Sequence, residues 1–153
     1  MSAVLKPAIE LRPMTETDLP AVMAIENSIY PFPWTQGNFR DSLAAGYSCW
    51  IYARNGEVIG YAVLMLAADE AHLLNLSIAA ACQTQGCGSL LLRRLCEVAR
   101  GHGARLIFLE VRPSNVAALR LYERHGFQKA GTRRDYYPAR LGREDALILC
   151  LPL

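Results

Sequence analysis

Apolar and polar positions recur along this chain with two different periods, and each change of period marks an element. Ile9 to Arg12 reads as a short first strand. Thr15 or Thr17 then caps a helix running to about Ile29, because Leu19, Val22, Ile25 and Ile29 are spaced for one buried stripe. The segment Tyr30-Pro31-Phe32-Pro33-Trp34 cannot continue that helix, since each proline pushes the residue before it into an extended conformation. Thr35 is placed to cap a second short helix carrying Phe39 and Leu43.

Strand-like patterns follow. Ser48 to Arg54 alternates, Val58 to Leu66 is β-rich and almost wholly apolar, and Asn55-Gly56 between them is a hairpin signal. His72 to Ile78 alternates again and predicts Leu74, Leu76 and Ile78 on one face. A glycine-bearing loop, Gln83 to Gly88, feeds a helix with Leu91, Leu95 and Ala99 in one row and Leu92 with Cys96 in another; Gly101 and Gly103 end it. Leu106 to Val111 is a compact strand, apolar on both faces and therefore expected to be central. Pro113-Ser114-Asn115 opens a helix that closes at Gly126, and Gln128 to Tyr137 and Ala146 to Leu151 read as the last two strands. The order β-α-α-β-β-β-α-β-α-β-β predicts an α/β fold: a mixed central sheet of about seven strands flanked by about four helices, in one domain over residues 1–153.

Charge adds a clue. The net charge is only +2, which argues against a nucleic-acid-coating protein, but residues 1–75 carry four Lys/Arg against eight Asp/Glu while residues 76–153 carry twelve against six. A basic second half suits an anionic ligand such as a phosphorylated cofactor; a merely lopsided surface gives the same count. The longest apolar run, Val58 to Ala68, is far short of the ~20 residues of a membrane span, and the N-terminus has no signal-peptide pattern. Five cysteines, an odd number with no C-x-x-C pair, point to a reduced, cytoplasmic protein. Three histidines at no ligand spacing give no expectation of a metal site.

Three places could carry chemistry. In Gln83-Thr84-Gln85-Gly86-Cys87-Gly88, two glycines one residue apart let backbone N–H groups turn toward a phosphate at a helix N-terminus. A dinucleotide fingerprint is excluded because Leu91 stands where the third glycine belongs, and the Gly-Lys-Ser/Thr of a P-loop is absent. A tight turn explains the glycines equally well. Glu110 lies near the end of an apolar strand, where partial desolvation would raise its pKa toward that of a general base. The competing explanation is a pairing with Arg112 or another arginine. Tyr122 lies two turns after Asn115 on nearly the same helix face and can donate a proton, though packing is the commoner role of such a tyrosine.

Taken together, the Q-x-x-G-x-G loop, Leu109-Glu110-Val111, Ser114-Asn115, Leu121-Tyr122-Glu123 and Gly126-Phe127 resemble the GNAT family of acetyl-CoA-dependent N-acetyltransferases. Phe32-Pro33-Trp34-Thr35, Asn75 to Ile78, Arg133-Arg134-Asp135-Tyr136-Tyr137-Pro138 and Gly142-Arg143-Glu144-Asp145-Ala146 resemble its bacterial ribosomal-protein alanine N-acetyltransferase subfamily, so that the likeness runs from about Leu11 to Pro152. The resemblance implies Glu110 as general base through a water, Tyr122 as general acid and Asn115 as a cofactor contact. It implies that backbone groups of Leu76, Ser77 and Ile78 hold the acetyl and pantetheine end, and that the N–H groups of Thr84, Gln85, Gly86, Cys87, Gly88 and Ser89 cradle the pyrophosphate. Thr84 stands where the subfamily usually carries arginine, and Cys82 and Cys87 replace commoner aromatic and aliphatic residues.

The implied acceptor is the N-terminal alanine of ribosomal small-subunit protein eighteen, with no direct binding of nucleic acid or membrane. Glu144, Asp145 or the acidic first half would meet its basic tail, and Tyr30, Trp34, Tyr136 and Tyr137 either line the groove or pack as core. Three alternatives stand beside this reading: an acetyltransferase for lysine side chains or small amines, an idle acyl-CoA-binding module, and Cys87 as an acyl-carrying nucleophile.

Overall fold

A computed structural model describes residues 8–153. Its elements follow the order read from the sequence: β1 (Ile9–Pro13), α1 (Leu19–Ile29), α2 (Gln36–Ala44), β2 (Ser48–Arg54), β3 (Glu57–Ala67), β4 (Glu70–Ile78), α3 (Cys87–Gly101), β5 (Leu106–Val111), α4 (Val116–Arg124), β6 (Gln128–Pro138) and β7 (Arg143–Pro152). The strands form one seven-stranded sheet in the order β1-β2-β3-β4-β5-β7-β6. Only β4 and β5 run parallel; every other neighbouring pair is antiparallel.

Local chemistry explains most boundaries. Thr35 caps α2 by accepting from the Asn38 N–H at 3.1 Å, and the Asn38 side chain returns a bond to the Thr35 N–H. Asn55 and Gly56 both take positive φ, 51° and 80°, which turns β2 tightly into β3. The first helix departs from its expected start. Thr15 caps a 3₁₀ turn over Glu16–Asp18, whose Asp18 carboxylate is held by the Arg12 guanidinium at 2.7 Å, and the α-helix begins only at Leu19. The last strand starts at Arg143, three residues before the expected Ala146.

Two apolar clusters cover the two faces of the sheet. Leu91, Leu92, Leu95, Cys96 and Ala99 of α3 and Tyr122 of α4 pack on Ala62, Leu64, Leu73, Ile107 and Leu109. Leu19 and Val22 of α1 and Phe39 of α2 pack on Ile51, Tyr61 and Val63. The alternation of residues 61–64 between these clusters is the two-residue period of a strand buried on both sides. The stripe expected on α1 is corrected at its centre: Glu26 is buried, 1% exposed, while Ile25 and Ile29 are only partly covered.

A bulge makes the second correction. Val63 pairs with Asn75 and Leu64 with Leu73, so Leu74 has no partner and the alternation beyond it is inverted. Leu74 therefore faces the α1/α2 cluster, whereas Leu76 and Ile78 face the α3/α4 cluster; the three do not share a face. Asn75 and Ser77 are turned toward α1 in consequence.

Candidate active site

The parallel pairing of β4 with β5 is short. Glu70 to Leu73 pair with Leu106 to Leu109, and beyond that point the strands separate, leaving one edge of residues 74–78 open. Which groups face the opening follows from their bonds. The Leu76 carbonyl accepts from the Tyr30 hydroxyl at 3.4 Å and the Ile78 carbonyl from the Gln83 amide at 3.0 Å. A residue's N–H and C=O leave a strand on the same side, so the Leu76 and Ile78 N–H groups also point into the gap. Ser77 points the other way: its carbonyl lies so close to Gly60 that a Cβ there would meet it at 2.8 Å. The backbone of Ser77 is thus turned toward β3.

At the end of this gap lies the glycine loop. Thr84 and Gly86 take positive φ, 62° and 82°, and Gly86 is the N-cap of α3. Six consecutive N–H groups, Thr84 to Ser89, have no acceptor among the described residues; the first helical bond here is Leu90 N–H to the Gly86 carbonyl, at 3.1 Å. The ordinary start of a helix accounts for the last four. The two before them widen the donor cluster at the positive end of the helix dipole. Arg54 braces the loop through the Gln85 side chain at 3.3 Å. Such donors fit a pyrophosphate, and the open strand edge fits an amide-bearing chain such as pantetheine.

Glu110 and Tyr122 reach the gap from opposite faces of the sheet. Glu110 sits with Phe108 on the side away from α3, and its carboxylate is gripped twice: by His72 Nε2 at 2.5 Å and by Arg133 Nε at 3.4 Å. Burial works to raise its pKa, but the bond from His72, the charge of His72 and the charge and bond of Arg133 together outweigh it, and the net shift is downward. The expectation of a raised pKa is therefore corrected. The competing expectation of an arginine pairing is met by Arg133; Arg112 itself binds Glu144 at 3.1 Å and lies over the Tyr137 ring, 4.4 Å from its centroid.

Tyr122 is buried in α4 against Phe127. Its phenol makes no hydrogen bond among the described residues, yet it is not one of the sealed, unpaired polar atoms. Burial first, then the neighbouring phenols of Tyr30 and Tyr137, push its pKa upward, so that it stays a proton donor. Asn115 caps α4 through its Oδ1, which accepts from the Ala118 N–H at 3.2 Å; its amide NH₂ has no partner among the described residues.

Sequence reasoning missed a polar network between α1 and the sheet. Glu26 accepts from the Tyr61 hydroxyl at 2.8 Å, the Asn75 amide at 3.1 Å and the Trp34 N–H at 3.0 Å. Ser77 Oγ donates to Asn75 Oδ1 at 2.7 Å and lies 2.6 Å from the Tyr30 hydroxyl, whose pKa burial drives up to about 12. No spacing signal announces Glu26, because a carboxylate in an apolar stripe reads as a solvated position. His72 was equally hidden, as it meets Glu110 only through the β4–β5 pairing.

Phe32 and Tyr136 are exposed and Tyr137 is partly covered, and Arg112 lies over the rings of Phe32 and Tyr137. Trp34 packs on Phe39 instead, with ring centroids 5.1 Å apart. Both Glu144 oxygens are used within the chain, by Arg112 and by Ser114, and Asp145 accepts from the Asp135 N–H at 2.9 Å. These bonds tie both carboxylates into the β6–β7 rim. Among the described residues no helix is long and apolar enough to cross a membrane.

Comparison with known proteins gives a consistent picture. The family model described as "Acetyltransferase (GNAT) family" matches residues 19–127. The [ribosomal protein bS18]-alanine N-acetyltransferase of Escherichia coli strain K12 is 40% identical over 137 residues, covering 90% of this chain and 93% of the relative. The enzyme of the same description from Salmonella typhimurium strain LT2 is 36% identical over 140 residues, covering 92% and 95%. The crystal structure of the ribosomal-protein-S18-alanine N-acetyltransferase from Escherichia coli superposes with a TM-score of 0.88 at 38% identity, over 95% of this chain and 94% of that one.

Proposed function

This chain belongs to the GNAT acetyltransferase family, and from that premise we propose that it acetylates the α-amine of a protein N-terminus, that of the alanine of ribosomal protein bS18, in the cytoplasm. The co-substrate is acetyl-CoA, whose thioester supplies an acetyl group activated toward amines. The N–H groups of Thr84 to Ser89 would hold its pyrophosphate, and the open edge at Leu76 and Ile78 its pantetheine and acetyl end. Asn115 would offer its free amide.

The reading rests most on one observation: β4 and β5 stop pairing after Leu73 and Leu109, with Glu110 the next residue of β5 and Tyr122 in the apolar cluster on the other face of the sheet. Glu110, through a water, takes a proton from the incoming amine, whose reference pKa of about 7.7–8.0 leaves part of it already neutral near neutrality. The neutral amine then attacks the acetyl carbonyl directly. The Ile78 N–H steadies the charge that develops on the carbonyl oxygen, and Tyr122 gives its proton to the departing thiolate. Cys87 has no role in this scheme. It is buried at the start of α3, with no histidine bound to it.

The test is mass spectrometry after incubation with acetyl-CoA and two peptides. One begins with free Ala-Arg and lacks lysine; the other has a blocked terminus and an internal lysine. Acetylation of the first alone is expected. Acetylation of the second alone would replace the α-amine with a lysine side chain as acceptor. Reaction of neither, with acetyl-CoA still bound, would make the protein a binding module.

A further inference from the structure

Glu26 is 1% exposed on α1, and among the described residues no cation pairs with it. Burying a carboxylate without a cation costs more than burying an apolar side chain of similar size, so stability alone does not explain it. Its two oxygens divide their partners by element. Oε1 accepts from the Tyr61 hydroxyl of β3 at 2.8 Å and from the Asn75 amide of β4 at 3.1 Å, while Oε2 accepts from the Trp34 N–H at 3.0 Å. The main-chain carbonyl of the same residue accepts from the Tyr30 N–H at 3.2 Å. Glu26 thus holds both ends of Tyr30-Pro31-Phe32-Pro33-Trp34, a segment whose two prolines have no N–H of their own to anchor it.

Both sides of this tie border the gap between β4 and β5. The Tyr30 hydroxyl reaches the Leu76 carbonyl on the open edge at 3.4 Å, and Asn75 and Ser77, joined at 2.7 Å, flank Leu76 in the strand. Phe32, in the middle of the held segment, lies 5.4 Å from the Arg112 guanidinium, which follows Glu110 by two residues and also covers Tyr137. The segment therefore runs from the open edge of β4 to the end of β5.

We propose that Glu26 is a positioning residue for the acceptor peptide: one carboxylate oxygen fixes the segment 30–34, the other fixes β4 where it opens, and the spacing between them sets where the acceptor's amine comes to rest. This rests on the reading of the gap as the site of acetyl transfer. Glu26 is too deeply buried to touch the peptide itself, so it acts through the segment it holds. Loosening the tie at Oε2 frees the segment and leaves the backbone cradle of Thr84 to Ser89 on the other side of the sheet unchanged.

The experiment compares wild type with Glu26→Met, Glu26→Gln and Asp18→Asn, measuring kcat and KM for the Ala-Arg peptide and acetyl-CoA affinity well below each unfolding midpoint. Met keeps the length of the side chain without an acceptor, Gln keeps one acceptor, and Asp18→Asn loosens the opposite end of α1. The expected KM for the peptide is about tenfold higher in Glu26→Met, the scale of one lost hydrogen bond to a charged acceptor. Glu26→Gln should recover part of that loss, with acetyl-CoA affinity at the wild-type value in both and peptide KM unchanged in Asp18→Asn. A peptide KM within about twofold of wild type in Glu26→Met would overturn the proposal. So would a parallel loss of acetyl-CoA affinity, or an equal rise of KM in Asp18→Asn, since either marks a general loosening. Hydrogen exchange on the wild type covers the case of a variant that does not fold: exchange across residues 30–36 should slow when the peptide is added to the protein with CoA, and not with CoA alone. No slowing with the peptide would overturn the tie. A wild-type protein that acetylates no amine would sink the transferase reading itself, and the tie with it.

Discussion

The two sides of the split in the sheet are built from different material. On the α3 side the groups proposed to hold the co-substrate are main-chain N–H groups: Leu76 and Ile78 on the open edge, and Thr84 to Ser89 on the loop. On the α1 side lie side chains in contact with one another: Glu26, Tyr61, Asn75, Ser77 and Tyr30 in one network, and His72, Glu110 and Arg133 in another. A site made of backbone depends on φ angles and close approach, so most side-chain changes leave it standing. A site made of side chains fails at one substitution, and it is where selectivity for the acceptor can be written. Thr84 illustrates the first case, since it takes positive φ without glycine and the cradle still forms.

The sharpest break should come from the side-chain half. Glu110→Gln removes the proposed base while keeping the shape, and turnover should fall by roughly 10²–10⁴-fold with acetyl-CoA affinity unchanged. Steady-state kinetics and calorimetric titration together check both parts; near-normal turnover would remove Glu110 from the chemistry.

Next is Glu26→Ala, which strands the Tyr61 hydroxyl, the Asn75 amide and the Trp34 N–H without an acceptor. The expected loss is about 3 kcal/mol, an unfolding midpoint lower by roughly 6–12 °C. A midpoint within two degrees of wild type, taken here as about 0.5–1 kcal/mol, would show that the network holds nothing together.

The backbone half should yield only where space is short. In Gly60→Ala the new Cβ would meet Ile78 Cδ1 at 2.6 Å and the Ser77 carbonyl at 2.8 Å. That should cost about 1–3 kcal/mol and raise the KM for acetyl-CoA while leaving kcat less affected. A stable variant with an unchanged KM would separate the end of β4 from cofactor binding. Cys87→Ala, by contrast, should leave turnover largely intact, and its loss with cofactor binding retained would restore Cys87 as a nucleophile.

Acid sensitivity gives the mildest contrast. Asp18, with Arg12 and Thr15 as its donors, and Glu110, despite its burial, both have pKa values lowered by folding. A carboxylate with a lowered folded pKa stabilises the protein fully above its unfolded pKa and loses that contribution as pH falls through the folded one. Denaturant midpoints should therefore be flat near neutrality and fall below about pH 4, around the reference carboxylate values. Asp18→Asn should flatten the acid limb while lowering the plateau; an unchanged limb would show that the Arg12 pair does not couple to folding.

Much of this molecule is determined by short-range pattern. The hairpin at Asn55-Gly56, the Thr35 cap, the Leu91-Leu95-Ala99 row and the glycine loop are all settled within a few residues by steric and hydrogen-bonding rules, so element order and the α/β class were legible. Glu110 and Tyr122 were legible as candidates because a carboxylate on an apolar strand and a phenol on a helix face are local anomalies. What pattern alone could not decide was pairing. The Leu74 bulge depends on register against β3, the opening of the gap on where β4 and β5 part, and the partners of Glu110 on strands 38 residues away in one case and on β6 in the other. Each of these lowers or raises the free energy of a charge through neighbours that only tertiary contact supplies. Glu110 thus reads from its own strand as a carboxylate made less acidic by burial, and becomes in the folded protein one made more acidic by His72 and Arg133.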